Sequence, residues 1–100
     1  MKLVLSPAIR QKLKSKNPPI TEDDVIQAFS NRDGKYLEDT REDHKSNPPT
    51  QWFVSQTDYG LKLKVVFIYR PDKGVFIRSA YQANADEIRI YEKYGKQGKL

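Results

Sequence analysis

The sequence predicts an α+β fold: strand, helix, helix, strand, then a three-stranded antiparallel meander, then a C-terminal helix. Three observations carry this prediction. Residues 51–81 hold three runs rich in Val, Ile, Phe and Tyr, separated by short turns that each end in Gly. Thr21-Glu22-Asp23-Asp24 and Asn84-Ala85-Asp86-Glu87 both have the form of a capping box, with apolar residues at helical spacing behind them. The longest apolar run, Val65-Val66-Phe67-Ile68-Tyr69, is far shorter than the roughly 20 residues that span a bilayer.

Met1 to Leu5 alternates weakly and reads as a first strand. Ser6-Pro7 starts a helix, since Ser caps free amides and Pro is preorganised for the first helical position. Ile9 and Leu13 share its inward face, and Asn17-Pro18-Pro19 ends it. The second helix follows Thr21, with Ile20 and Val25 placed as a hydrophobic staple and Val25, Ile26 and Phe29 as its core face. A short strand is expected at Lys35–Asp39. The polar stretch Thr40–Pro49 lacks apolar periodicity and reads as a loop. Strands follow at Gln51–Thr57, Leu61–Arg70 and Gly74–Tyr81. Asn84 caps the last helix, with Ile88, Tyr91 and Tyr94 inward and Gly95 past its end. These elements imply a single domain over residues 1–95 and a flexible basic tail over residues 96–100.

The chain has 100 residues, 18 basic and 13 acidic, and no cysteine. It therefore has no disulfide framework, no thiolate nucleophile and no cysteine zinc site. The N-terminal apolar stretch, Leu3-Val4-Leu5, is too short for a signal peptide, so a cytoplasmic protein with no membrane partner is expected. The charge is uneven. Residues 1–20 carry Lys2, Arg10, Lys12, Lys14 and Lys16 without an acid, and residues 93–100 carry Lys93, Lys96 and Lys99 without one. The middle of the chain is net acidic. Basic ends suit a polyanion, which such patches steer and bind by counterion release; they equally suit a solvated helix face and a loose tail.

The order of elements resembles the RelE-like toxin superfamily, its BrnT branch above all. Ile20-Thr21-Glu22-Asp23-Asp24-Val25 with Phe29 is placed like an early helix of that family, and Leu61 to Ile68 like the first strand of its last hairpin. Ser79-Ala80-Tyr81-Gln82-Ala83-Asn84, followed by Glu87 and Tyr91-Glu92, is similar to the Ser-Ala-Arg-x-Ala-Thr segment of BrnT-like chains. Those chains have arginine where Tyr81 stands. The resemblance implies the toxin of a type II toxin–antitoxin system, a metal-independent endoribonuclease acting on RNA, ribosome-associated RNA included, and neutralised by a cognate antitoxin. No cofactor and no metal are implied. Small chains of this type also bear the label ADP-ribosyl-dinitrogen-reductase hydrolase, which leaves a small hydrolase as a further alternative. A non-catalytic protein- or nucleic-acid-binding module of the same fold is the other.

Cleavage of RNA by its own 2′-hydroxyl needs a base, cations for the phosphate and an acid for the leaving oxygen. Arg41, His44 and Lys45 form the densest cluster of such groups, with Arg41 and Lys45 as phosphate clamps and His44 as proton carrier. Arg78 and Tyr81 are the further catalytic candidates, for phosphate and for base stacking or a phenol. Lys62 and Lys64, on the face opposite Leu63, Val65 and Phe67, and Lys12, Lys14 and Lys16 on the first helix, are candidates for RNA binding. Hairpin register decides between Arg78 and Tyr81. An even loop pairs Arg70 with Val75, Ile68 with Ile77 and Lys64 with Tyr81, turning Arg78 inward; an odd loop reverses this. The four residues Pro71-Asp72-Lys73-Gly74 favour the even loop.

Overall fold

A five-stranded sheet organises the chain, and each of its long strands follows from an alternating or fully apolar run. The computed structural model describes residues 2–40 and 47–96. The strands are β1 (Leu3–Val4), β2 (Leu37–Glu38), β3 (Thr50–Gln56), β4 (Lys62–Arg70) and β5 (Gly74–Gln82), in the order β1-β5-β4-β3-β2. β1 runs parallel to β5 and every other pairing is antiparallel, so the sheet is mixed. The helices are α1 (Pro7–Lys14), α2 (Glu22–Ser30) and α3 (Ala85–Tyr94). The first strand is short because β1 must stop before Pro7 starts α1.

Helix starts are dictated locally. Ser6 Oγ accepts from the Ile9 amide at 3.2 Å, with Pro7 in the first helical position. Thr21 and Asp24 exchange two hydrogen bonds, of 3.0 and 3.1 Å, and Asn84 and Glu87 do the same at 3.0 and 2.8 Å. Both capping boxes form as their spacing predicts. The staple residues Ile20 and Val25 are buried. Ile26 is not part of the core face: it is 42% exposed, and Ala28 is buried instead. Helical geometry explains the difference, since Ala28, three residues beyond Val25, lies on Val25's side while Ile26, one residue on, is rotated away. Tyr94 likewise points outward, 49% exposed, while Tyr91 is buried.

Phe53, Val65, Phe67, Ile77 and Ala80 line one sheet face, and Phe29 of α2 meets the rings of Phe53 and Phe67 there at 4.7 and 5.5 Å. Trp52 and Lys64 lie on the opposite face, which α3 covers in part: Tyr91 stands 6.0 Å from Trp52 between ring centroids. Its hydroxyl donates to the Lys35 carbonyl at 2.8 Å, tying α3 to the approach to β2. Lys96 continues that tie, pairing with Glu92 at 3.1 Å and Asp33 at 3.4 Å. The first residue of the expected tail is thus anchored.

The β4–β5 hairpin departs from the expected even loop. Arg70 pairs with Gly74 across the three residues Pro71, Asp72 and Lys73, and Ile68 pairs with Phe76, not with Ile77. Gly74 permits this turn through its φ of +123°, and a side chain there would collide with the Lys2 carbonyl of β1. Further along, the register shifts: Phe67 faces Ile77 while Val66 faces Ser79, leaving Arg78 as the extra residue of a bulge. The bulge restores the parity that the odd loop removed. Lys64 is therefore opposite Tyr81 as expected, but Arg78 is exposed and is not buried among Val65 and Phe67.

Candidate nucleic-acid interface

The polar groups that the sheet brings together lie on the Trp52 face, under the first turn of α3. Tyr81 on β5 and Lys64 on β4 are directly paired, and Trp52 on β3 is their diagonal neighbour on the same face. The α3 capping box places Glu87 above them. One oxygen of its carboxylate accepts from its own cap, the Asn84 amide. The other accepts from the Tyr81 hydroxyl at 2.6 Å and lies 3.3 Å from the Lys64 ammonium. Lys64 also sits 4.5 Å from the centre of the Trp52 ring. Lys64 and Glu87 are each only 16% exposed at the side chain.

Burial works to raise the Glu87 carboxyl, but the Asn84 amide, the Tyr81 hydroxyl and the Lys64 charge outweigh it and hold the group below its ordinary value. Glu87 is thus an ionised acceptor at neutral pH. Its neighbours stabilise a fixed negative charge, which suits anchoring α3 and positioning Tyr81 and Lys64. By contrast, burial pushes the Tyr91 phenol up to about 12, so it stays a neutral donor to Lys35.

Around this cluster runs a cationic edge. Lys12 of α1 donates to the Arg78 carbonyl at 3.3 Å, and Lys16, just past α1, lies 5.4 Å from the Tyr81 ring centre. Lys12 and Lys16 thus lie along β5, Lys12 at the Arg78 backbone and Lys16 at the Tyr81 ring, and the Arg78 side chain is exposed. The bulge serves this arrangement, because the extra residue puts the Arg78 side chain in solvent next to the helix.

The predicted site residues therefore divide. Lys12, Lys16, Arg78, Tyr81 and Lys64 come together along β5. Lys14 is exposed and lines a different groove, between α1 and the start of α2, with Arg10 and Glu22. Lys62 is exposed on the face of Lys64, in a groove with Gln56, Ile88 and Glu92 at the other side of α3. Arg41, His44 and Lys45 lie outside the described residues. Glu87, which the sequence offers as a helix cap and as part of the family-like segment, was not among the predicted site residues. Its second role had one signal in the sequence, a carboxylate at N3 of a helix that follows directly on a strand bearing Tyr81.

A wider groove, about 1020 Å³, opens elsewhere, on the Phe53 face between Tyr36, Phe67, Tyr69 and the β4–β5 turn. Its lining is mainly apolar and aromatic, with three charged residues, Lys2, Asp72 and Lys73. Size alone does not make it the site; the convergent polar groups are at β5. Among the described residues no group of His, Asp and Glu is arranged to hold a metal ion, and no helix is long and apolar enough to cross a membrane. Compared with family models, curated proteins and solved structures, the chain matches none.

Proposed function

We propose that the protein acts on RNA as a RelE/BrnT-like toxin, checked by a separate antitoxin protein, and that RNA docks along the outer side of β5. One observation carries the docking: along the outer side of β5, Lys12 reaches the backbone of the exposed Arg78 and Lys16 lies 5.4 Å from the centre of the Tyr81 ring. Clustered cations neutralise successive phosphates, and an aromatic ring among them offers a face to an unpaired base. The chemistry is transesterification. A base removes the 2′-hydroxyl proton, that oxygen bonds to phosphorus, and the bond to the 5′ oxygen breaks as an acid protonates it. The products are a 2′,3′-cyclic phosphate and a 5′-hydroxyl, with no water or metal consumed. Arg41, His44 and Lys45 are assigned to this step, with Arg78 as a phosphate clamp.

A binding module without cleavage is the second reading. What favours it is that the Tyr81 hydroxyl and the Lys64 ammonium are both engaged by Glu87, in a clamp that holds α3. One experiment separates the two. Fluorescence anisotropy with labelled RNA measures binding, and a denaturing gel with a chelator present measures cleavage. The toxin reading expects both, with Arg41→Ala or His44→Ala slowing cleavage at least about tenfold, a loss of about 1.4 kcal/mol of transition-state stabilisation. Binding without cleavage selects the module. Absence of binding across several RNAs removes the toxin and leaves the module only as a binder of protein.

A further inference from the structure

We infer that the groove between α3 and the Trp52 face is a nucleobase subsite, which receives a base from RNA docked along β5. The inference rests on the RNA reading above and goes beyond it by assigning a second contact, on the far side of Lys64 from Tyr81. The groove, about 550 Å³, is lined on one side by Leu37, Trp52, Ile90 and Tyr94, with Lys64, and on the other by the β2 end of the chain, Glu38, Asp39 and Thr40. Apolar and aromatic side chains thus meet an equal number of polar ones, a composition that suits a planar, partly polar ligand.

Three features direct the choice of occupant. Ile90 and Tyr94 are 38% and 49% exposed, so α3 presents apolar and aromatic surface to this groove that the fold itself leaves uncovered. The Trp52 indole is half-buried, and Tyr91 and Lys64 hold it in place from two sides. A preordered ring of this kind stacks a base with little loss of side-chain freedom. Polarity across the site is graded. The β5 edge is cationic, Lys64 stands in the middle, and the acidic residues Glu38 and Asp39 line the far end. Phosphates are drawn to the first and repelled by the last. Bases are neutral, so they enter an acidic end that repels phosphate.

The diagonal Tyr81–Lys64–Trp52 across three neighbouring strands joins the two ends. Strands lie about 4.8 Å apart, so the path crosses about two strand spacings, or roughly 10 Å. Single-stranded RNA, with its bases free to splay from the backbone, is the form that can fill both ends at once; a paired duplex keeps its bases stacked inside.

The chain has a single tryptophan, so its emission reports on this groove alone. The test titrates the full chain with a short single-stranded RNA and with an abasic oligoribonucleotide of equal length, following Trp52 emission and anisotropy together. The expected result is quenching by the RNA, none by the abasic strand, and at least about fivefold weaker binding of the abasic strand. Tyr94→Ala and Ile90→Asp, both at exposed positions that leave the core intact, should weaken binding of the RNA and leave the abasic strand unaffected. Equal binding of the two strands, with unchanged Trp52 emission, overturns the subsite and leaves the RNA reading standing. Binding of neither strand overturns both.

Discussion

The two faces of the sheet are held by different forces. On the Phe53 face, α2 docks through aromatic and aliphatic burial: Phe29, Phe53 and Phe67 meet edge to face, and Phe53, Val65 and Ala80 are wholly buried. On the Trp52 face, α3 docks through one buried aromatic ring, Tyr91, and a charged clamp at Glu87. Burial of apolar area is indifferent to pH and little affected by salt, whereas charge-assisted hydrogen bonds respond to both. The difference teaches where function can reside: polar groups that must meet a ligand are concentrated under α3, and the apolar face carries the stability that supports them.

The largest expected effect tests the apolar face. Phe53→Ala empties the centre of the aromatic cluster and should lower unfolding free energy by about 3–5 kcal/mol, read by denaturant titration. A domain of this size has about 5–15 kcal/mol in total, so the variant should be close to unfolding at ordinary temperature. A loss under about 1 kcal/mol would mean that the two faces do not differ as described.

Next comes the clamp. Glu87→Gln keeps the shape but removes the charge that Tyr81 and Lys64 meet, and should lower stability by about 2 kcal/mol. Its pH dependence gives the sharper test. The Glu87 carboxyl lies below its ordinary value in the fold, so it binds its proton more readily in the unfolded chain. Its contribution is therefore complete at neutral pH and is lost as pH falls through and below the ordinary carboxylate range. Stability of the parent should fall over that window more steeply than that of Glu87→Gln. Parallel profiles would remove the charged clamp from the comparison.

The smallest effect on stability is expected at the cationic edge. Replacing Lys12, Lys14 and Lys16 together with Gln should leave the thermal midpoint almost unchanged, within about 0.5 kcal/mol of stability per site, because Lys12 and Lys14 are exposed and the half-buried Lys16 keeps most of its stem as Gln. The same variant should bind RNA more weakly and with a flatter dependence on salt. Since Lys14 faces away from β5, Lys14→Gln alone should change that dependence less than Lys16→Gln. An equal effect of the two would mean diffuse attraction and no defined edge.

Much of the fold was legible because its signals are local. A capping box acts within four residues, so Thr21 with Asp24, and Asn84 with Glu87, announced α2 and α3 before any packing was known. Pro7 and the Gly residues at 60 and 74 did the same for a helix start and two turns. The Ile9 and Leu13 pairing on α1 and the burial of Tyr91 followed from helical periodicity. Ile26 and Tyr94 were misplaced for the converse reason: an apolar residue at the border of a helix stripe has no local mark of which neighbour it will meet.

The candidate site was legible only in its parts. The cations of α1, and Arg78, Tyr81 and Lys64, stood out by type, yet which of them would meet depended on the parity of one hairpin. An odd three-residue turn followed by a bulge at Arg78 produced a register that neither simple alternative contained. Side chains alternate with period two, so one added residue reverses every orientation beyond it, and its position is set by how β4, β5 and α1 pack together.

The sequence by itself determined the element types, their order, the helix caps, the basic first helix and the apolar stripe of β4, since each depends on residues a few positions apart. Only the tertiary structure decided that α3 covers the Trp52 face, that Glu87 joins Tyr81 to Lys64, and that Arg78 turns outward beside Lys12. Those contacts join distant parts of the chain, and their energies come from burial and charge pairing that exist only once the strands are in register.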